Sequence, residues 1–498
     1  MNYKFKFPIF LSLAFFFWGC DNVIDLEQPG LLTDDRAFES VQDLNDGMLG
    51  AFNQLDNSSQ IQFNAVFTDE ISIGFDNGGQ GVQTEYNFIH NPNTTAPGTF
   101  WGDFYRAINV ATRVIEAGNL VAPEEGEEGI YNNALGQCYA IRAYSHLMLQ
   151  SYFTTDMADD NALGVIAVDF VAPTNAAPSR NTNAEVFALI EADLVAAAAL
   201  IPASQSDRTF FTLDALDATR ARMAAYRQDY ATANSIATQL SSRYPLSSRS
   251  EYVDMFADNT NGEVIFKLER AFGDTYDGQG STGTPAAGGW AGANFAFTGP
   301  GVNGSPYFEV GRTLFNLMDE NDVRFGVNIS PDFILDPSYP NTTQGDFREL
   351  DIIPVNKYRG SEGRALMNDL KIFRSSEMLL IAAEAQASTG NLSGAASLIK
   401  QLRDARFGSN TPTLSFGSEQ EALGTIMDER RIELAFEGHR YVDLRRLGAR
   451  ANRGLDRDPL DCAINSACDL PLTDPRYTFP IPFIELRVNS NIQQNPGY

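Results

Sequence analysis

The residues best suited to contact a ligand lie in a glycine-rich stretch, residues 273 to 311. Aromatic residues are spread through it, among them Tyr276, Trp290, Phe295, Phe297 and Tyr307. Trp290 is flanked by glycine and alanine, so few local side chains can pack on its indole ring. A flat ring displayed in this way can stack on the apolar face of a sugar. For any one of these aromatics, anchoring the loop to the protein body is the alternative.

A second segment, residues 72 to 97, carries planar polar side chains of another useful type. It combines amides, carboxylates and a tyrosine: Asp76, Asn77, Gln80, Gln83, Glu85, Tyr86 and Asn87. Groups of this kind form hydrogen bonds with the adjacent hydroxyls of a sugar. For each of these residues taken singly, a position in a solvated loop is the alternative.

Motifs for catalysis or metal binding are weak in this sequence. Two G-x-G-x-x-G matches, at 278–283 and 299–304, do not lead from a strand into a helix, so neither predicts a phosphate site. Neighbouring carboxylates such as Asp69 and Glu70 are expected by chance among 64 acidic residues, and they do not by themselves indicate a glycosidase. The three histidines are far apart and no C-x-x-C occurs. We therefore expect no catalytic residue, metal site or cofactor.

The first nineteen residues are predicted to be a signal peptide. Lys4 and Lys6 precede an apolar run over residues 7 to 18 that is too short to span a bilayer. Gly19 and Cys20 end this run and resemble a bacterial lipoprotein cleavage box, which predicts Cys20 as the acylated first mature residue and residues 20 to 38 as a tether. An ordinary secretory signal that ends near a cysteine is the alternative.

The other cysteines fit an exported protein. Cys462 and Cys468 have five residues between them in a polar segment, and we predict a local disulfide. Cys138 lies on a predicted helix and is expected to be a buried thiol. No segment after the leader reaches eighteen uncharged apolar residues, so the mature body is expected to be tethered rather than embedded.

Composition limits the possible partners. A chain of 498 residues with 43% hydrophobic content can bury a large core. Its net charge of -28 argues against nucleic acid and anionic membrane surfaces, because both require a basic face. An acidic surface is compatible with a neutral or cationic ligand, or simply with solubility.

The elements that must position these residues are predicted to be mostly helices. Apolar periodicity predicts helices over residues 39–56, 104–120 and 131–153, and a capping box at 182–185 opens another that ends at residue 200. Two helical hairpins, 213–242 and 373–406, span 30 and 34 residues, close to the tetratricopeptide period of about thirty-four. A generic helical hairpin is the alternative. The best strand prediction is 263–268.

Several motifs, in order along the chain, resemble the SusD/RagB family of outer-membrane nutrient-binding lipoproteins. The longest is the signature run, residues 428 to 447, DERRIELAFEGHRYVDLRRL. The others are Trp101-x-x-x-Tyr105-x-x-Ile108, Asp229-Tyr230-x-x-Ala233, residues 263 to 266, Pro480-Ile481-Pro482, Glu485-Leu486, Asn489 and residues 494 to 498. With the lipoprotein signal in front, they extend over essentially the full chain.

This resemblance implies a mainly α fold, a tetratricopeptide-type scaffold of helical pairs with long irregular ligand-binding loops and few short strands. The expected body covers residues 39–498, with variable loops at about 72–97 and 273–311, a signature helix at 421–447 and a C-terminal tail at 476–498. In the signature helix we expect glutamate and arginine to pair at spacings of three and four residues, which is a structural role. Trp101 is expected in the core rather than at a ligand.

The resemblance also implies a function. Family members are lipid-anchored at the outer membrane on the cell surface, where they capture oligosaccharide or polysaccharide for a SusC-like TonB-dependent transporter. On this hypothesis the glycan-binding residues are Trp290, Tyr276, Tyr307, Asp76, Asn77 and Tyr86. The same scaffold binding peptides, as in RagB-like members, is the nearest alternative. A lipid-anchored glycosidase is a further one.

Overall fold

Helices form most of the computed structural model, which describes residues 37–74, 85–173, 175–270, 308–339, 351–361, 364–365 and 367–498. The described helices of the first half are α1 (Val41–Phe52), α2 (Ser58–Phe67), α3 (Thr95–Gly118), α4 (Glu128–Phe153), α5 (Asn183–Leu200), α6 (Leu213–Tyr226), α7 (Tyr230–Arg243) and α8 (Arg249–Phe256). Those of the second half are α9 (Arg312–Leu317), α10 (Val323–Asn328), α11 (Ser375–Ser388), α12 (Leu392–Phe407), α13 (Glu419–Glu433), α14 (Arg440–Ala451) and α15 (Phe483–Val488). A mainly helical fold is therefore what these residues adopt, as predicted.

Local signals explain where several of these helices begin. Thr182 accepts a hydrogen bond from the backbone N–H of Glu185, and the Glu185 carboxylate accepts one from the Thr182 backbone in return, so the predicted capping box opens α5. Ser40 and Asp43 do the same for α1. These pairs satisfy backbone donors that would otherwise lack partners at the helix start.

Successive helices pack as antiparallel pairs. Helices α6 and α7 form one hairpin and α11 and α12 form another, and α11 also packs against α7, so the two hairpins stack. The long α4 lies between α3 and α5. Trp101 on α3 is only 5% exposed, and Cys138 on α4 is a buried free thiol, as expected for both. In the parts of the chain that the structure describes, no helix combines the length and apolar character needed to cross a membrane.

Short strands form three two-stranded antiparallel sheets within the described residues. They are β1 (Ile71–Ile73) with β3 (Phe308–Val310), β2 (Val264–Leu268) with β6 (Leu370–Arg374), and β4 (Gly360–Ser361) with β5 (Arg364–Ala365). The strand predicted at 263–268 corresponds to β2. In the first two sheets the paired strands are distant in sequence, so these sheets hold distant parts of the chain together.

The prediction of one signature helix over residues 421–447 is wrong. The chain turns between α13 and α14, where Phe436 and Gly438 have φ values of 61° and 83°. Backbone in this left-handed region cannot continue an α-helix. Distant groups hold the turn: the Phe436 N–H donates to the Glu70 carboxylate, and the Gly438 carbonyl accepts from the Gln60 amide. The turn is therefore fixed by tertiary contacts.

The C-terminal tail packs on the end of α4. Arg180 donates hydrogen bonds to the Asn495 side chain at 2.8 Å and to the Gln493 carbonyl at 3.1 Å. The Asn495 amide in turn donates to the carbonyl of Phe153, the last residue of α4, at 2.7 Å. The tail thus closes the structure against the N-terminal half of the fold.

Candidate ligand-binding site

Strands β1 and β3 place the two predicted ligand loops at a common root. Their register pairs Ile73 with Phe308 and Ser72 with Glu309. Since the pairing is antiparallel, the end of β1 lies beside the start of β3. The loop predicted at 72–97 follows β1, and the loop predicted at 273–311 ends in β3. Both loops are therefore anchored on one ribbon, although their sequences are about 200 residues apart.

Most of the predicted contact residues cannot be placed. Asp76, Asn77, Tyr276, Trp290 and Tyr307 lie outside the described residues, as does the predicted lipidation site Cys20. Their proposed roles remain predictions from the sequence.

The prediction that Tyr86 contacts the glycan is wrong. Its side chain is fully buried, and its hydroxyl donates a hydrogen bond to the Asp461 carbonyl at 2.8 Å. The Arg457 guanidinium lies 3.8 Å from the ring centroid. With one face against a cation and the hydroxyl occupied, the ring has no surface for a sugar. Burial also raises the pKa of Tyr86 well above its usual value.

The sequence did contain a signal for this burial. Aromatic rings stand at every second position, at Tyr86, Phe88 and His90, and these residues are buried while Glu85, Asn87 and Ile89 are more exposed. Residues 85–88 form a turn, in which Phe88 has a φ of 58°. The polar residues between 76 and 87 favour a solvated loop instead.

A buried ion cluster supports the C-terminal end of β3. The Arg312 side chain donates to the Asp461 carboxylate at 2.6 Å and to Asp351 at 3.4 Å, and the Arg312 backbone N–H also donates to Asp461 at 2.8 Å. The segment after Asp461 is closed by a disulfide between Cys462 and Cys468, the pairing that their spacing predicted. Arg312 thereby ties the loop root to a covalently closed segment.

Glu309 is a buried carboxyl at the centre of the ribbon. Its Oε2 accepts a hydrogen bond from the Ile353 backbone at 3.2 Å, while Oε1 has no partner among the described residues. Burial raises the pKa of Glu309 to about 8, more than the nearby Arg312 lowers it. Ser72, the residue opposite on β1, is likewise buried. The loop root therefore contains a carboxyl that is neutral at mildly acidic pH.

We expect Glu309→Gln to stabilise the protein at about pH 8 by about 1–3 kcal/mol and to do so less at about pH 5. The carboxyl has a usual pKa of 4.5 in the unfolded chain and a pKa of about 8 in the folded one. Between these values the folded state binds one more proton, so the stability of the wild type falls as the pH rises. Glutamine cannot titrate, so it avoids this loss.

The measurement is the melting temperature of both proteins across this pH range. Glu124→Gln, at an exposed position, is the control and should show no pH-dependent difference. A difference between Glu309→Gln and wild type that stays constant from pH 5 to pH 8 would contradict the raised pKa.

Asp69 and Glu70, the neighbouring carboxylates, are buried in the interior. Asp69 accepts two hydrogen bonds of 2.8 Å from Arg440 and lies 3.4 Å from Arg431. Although burial opposes ionisation, these two arginines together hold the pKa of Asp69 well below its usual value. Burial raises the pKa of Glu70 to about 7, and its Oε1 accepts from the Phe436 backbone. Both carboxylates are thus engaged with the scaffold.

The charged residues of the signature run bind other parts of the fold. We expected these charged residues to pair with one another within one helix, and for the first half of the run this expectation is wrong. Arg431 pairs with Asp69, Arg430 reaches Asp443 across the turn, and Glu433 pairs with arginines on β6 and α12. In α14 one pair does follow the predicted spacing, Asp443 with Arg446. The run is structural, as expected, but it acts between elements.

Two family models match separate parts of the chain. One, described as the SusD family, matches residues 353–498. The other, described as "Starch-binding associating with outer membrane", matches residues 26–224. The two ranges do not overlap and together cover more than half of the chain.

Relatives and solved structures match nearly the whole chain. Two SusD-like proteins from Formosa agariphila are 24% and 26% identical, over 100% of this chain and 99% and 100% of their own lengths. A solved SusD superfamily protein from Bacteroides thetaiotaomicron aligns with a TM-score of 0.75 at 21% identity, covering 92% of this chain and 100% of that one. A structure described as a laminarin binding SusD-like protein has a TM-score of 0.67 at 20% identity, covering 93% and 100%. These alignments confirm the predicted fold class.

Proposed function

The chain belongs to the SusD/RagB family, and from that premise we propose that it captures oligosaccharide or polysaccharide at the cell surface and delivers it to a SusC-like TonB-dependent transporter. The observation that carries the proposal is similarity to SusD-like proteins over the full chain. One matching family is described as starch-binding and one similar structure as laminarin binding, which favours a glycan over a peptide as the ligand.

The ligand site proposed here is formed by the two loops rooted on β1 and β3. Trp290, Tyr276 and Tyr307 supply stacking surfaces in this proposal, and Asp76 and Asn77 supply hydrogen bonds to hydroxyls. The pairing of Ile73 with Phe308 supports a single site, because it gives the two loops the same root. Tyr86 is not part of the proposed site.

We propose binding without catalysis. A glycosidase needs two carboxyl groups that face the scissile bond across a substrate cleft. Asp69 and Glu70 are both buried and bound to arginine and backbone groups, so they do not meet that requirement.

A lipid anchor at Cys20 completes the proposal. Acylation of Cys20 would hold the body at the outer membrane, and the polar residues up to 38 would act as a tether. The description of the family model that matches residues 26–224 associates its members with the outer membrane, which supports this location.

The experiment is a calorimetric titration of a soluble form that begins at Asp21. The ligands are soluble starch, laminarin, oligosaccharides of each, and a mixed peptide digest. We expect one glycan class to bind with a dissociation constant on the order of micromolar to millimolar, because stacking and hydrogen bonds must offset the cost of association. Binding to peptides alone would replace the glycan proposal with a peptide one. Turnover of an oligosaccharide, lost when one carboxylate is changed, would replace it with an enzyme.

The transporter is tested separately. Purification of the anchored protein from native outer membranes should recover a large TonB-dependent barrel with it. Repeated recovery of the anchored protein alone would count against a transporter partner.

A further inference from the structure

A polar cleft opens between α9 and the segment that follows α14. Its volume is about 660 Å³, within the range of about 300–1,000 Å³ typical of ligand clefts. Asn316 and Leu317 line it on the α9 side, and residues 452 to 456 line it on the other. Every lining residue lies outside the two predicted ligand loops, 72–97 and 273–311. The cleft is therefore built from different residues than the proposed loop site.

Exposed planar amides stand on both walls of the cleft. Asn316 and Asn452 are both exposed. The Tyr339 hydroxyl donates to Asn316 Oδ1 at 3.2 Å, which orients that amide. Asn452 caps the C-terminus of α14 with a φ of 50°, and its backbone N–H donates to the carbonyls of Gly448 and Ala449, which fixes its backbone. Amide side chains offer both donors and acceptors to neighbouring hydroxyl groups.

An arginine and an aspartate form a flat, fixed pair in the same cleft. Arg453 donates to Asp428 through Nε at 2.9 Å and through Nη2 at 2.7 Å. The Arg453 side chain remains 41% exposed and that of Asp428 32% exposed. A two-point pair of this kind holds the guanidinium plane rigid. The Arg453 Nη1 also donates to the Asn452 carbonyl at 3.2 Å, which leaves part of the outer edge for other hydrogen bonds.

The charges around the cleft balance, which sets the class of ligand. Arg453 is neutralised by Asp428, and the deeper Arg440 and Arg431 both contact the buried Asp69. Asp456 adds one exposed carboxylate at the rim. Three arginines, Arg431, Arg440 and Arg453, are thus matched by three carboxylates, those of Asp69, Asp428 and Asp456, so the cleft has no net charge that would favour an anionic or a cationic ligand. A neutral ligand rich in hydroxyls matches the balance better.

Leu317 adds an apolar surface between these polar groups. Its side chain is 40% exposed, and it lines the cleft beside Asn316. A sugar ring presents hydroxyls at its edge and C–H groups on its face, so it requires both kinds of surface together.

From these features we propose that the cleft binds a neutral pyranose unit, as a second glycan site distinct from the loop site. The proposal rests on the glycan-binding function proposed above. Two sites on one body would engage two parts of the same polysaccharide, so that the second contact becomes intramolecular and strengthens binding to polymers.

Gly454 provides a way to block the cleft without disturbing the fold. It lines the cleft, a Cβ at this position would meet nothing within 4 Å, and its φ is not in the left-handed region. Gly454→Trp should therefore fill the cleft and fold normally. Gly129→Trp is the matched control, because Gly129 is exposed on α4, has equally open surroundings and lies away from the cleft.

The probes are laminarin and soluble starch, with affinity measured by calorimetry and by retardation in gels that contain the polysaccharide. For a polysaccharide that binds the wild type, we expect Gly454→Trp to weaken binding by about tenfold, Asn316→Ala to weaken it by about threefold, and Gly129→Trp to leave it unchanged. All variants should keep the wild-type melting temperature.

The outcomes separate this inference from the proposed function. If the wild type binds a polysaccharide and both Gly454→Trp and Asn316→Ala bind it equally well, the second site is refuted and the function stands. If the wild type binds neither polysaccharide, the proposed glycan function and the cleft site are both overturned.

Discussion

Replacing Arg374 with methionine is expected to lower the free energy of unfolding by about 3–5 kcal/mol. Arg374 is the fully buried last residue of β6, and it donates hydrogen bonds to three buried carboxylates. These are Glu263 at 2.9 Å, Glu433 at 2.8 Å and Glu437 at 2.8 Å. Methionine fills a similar volume but removes the cation, so the carboxylates would stay buried with less compensation.

The measurement is the melting temperature by calorimetry or circular dichroism. Arg106→Met is the control, because the Arg106 side chain is 60% exposed and its pair with Asp103 at 3.3 Å should contribute only about 0–1 kcal/mol. A melting temperature for Arg374→Met as high as that of the control would show that the buried network contributes little.

Acid should weaken the same network. Arg406 and Arg374 hold the pKa of Glu433 well below its usual value of 4.5, despite the opposing effect of burial. A carboxylate with a lowered pKa contributes stability that is complete above 4.5 and is lost as the pH falls towards the folded pKa. Glu309 has the opposite sign, since its raised pKa makes it a liability as the pH rises. The two carboxyls thus limit stability at opposite ends of the pH range.

The sequence predicted features that depend on local interactions. The capping box at Thr182 and Glu185 requires only residues within one turn, and α5 begins there. The helical W-x-x-x-Y spacing of Trp101 and Tyr105 predicts Trp101 in the core, and it is buried in α3. Helical hairpins were likewise visible because each one is contiguous in sequence.

Features fixed by distant residues were not predicted. The turn that divides the signature run depends on Glu70 and Gln60, which lie more than 360 residues earlier. The carboxylates around Arg374 come from two separate segments, Glu263 beside β2 and the pair Glu433 and Glu437 in the signature run, so no spacing in the sequence links Arg374 to them. Alternating glutamates and arginines in the signature run are most simply interpreted as pairs within one helix. The structure shows that these side chains are buried and face other helices and strands.

The candidate site also combines features that local sequence predicts with features that depend on distant residues. Composition predicts that the two segments rich in aromatic and amide residues are ligand loops. The sequence alone does not show that the two loops share a root. The pairing of Ile73 with Phe308 brings their ends together, and it is a contact between residues more than 230 positions apart. The Asn316 cleft was not predicted because Asn316, Leu317 and residues 452 to 456 carry no motif, and the signature run, which also contributes to the lining, was expected to be structural.

Trp290→Ala tests the proposed loop site most directly. Stacking of an indole on a sugar face would remove roughly 100 Å² of apolar surface from water, which is about 2.5 kcal/mol at about 25 cal/mol per Å². We therefore expect the affinity for a short oligosaccharide to fall by roughly 70-fold, with no change in melting temperature. Trp101→Ala is the contrasting variant: Trp101 is buried, so its loss should lower the melting temperature.

The two readouts distinguish the two roles open to Trp290. A ring that serves as a ligand platform contributes to affinity and little to folding, whereas a ring that anchors its loop contributes to both. Unchanged affinity would exclude the platform role, and a melting temperature lowered as far as that of Trp101→Ala would favour the anchor. Because the cleft beside Asn316 and Gly454 contains neither tryptophan, residual binding of polysaccharide by Trp290→Ala should be removed by adding Gly454→Trp.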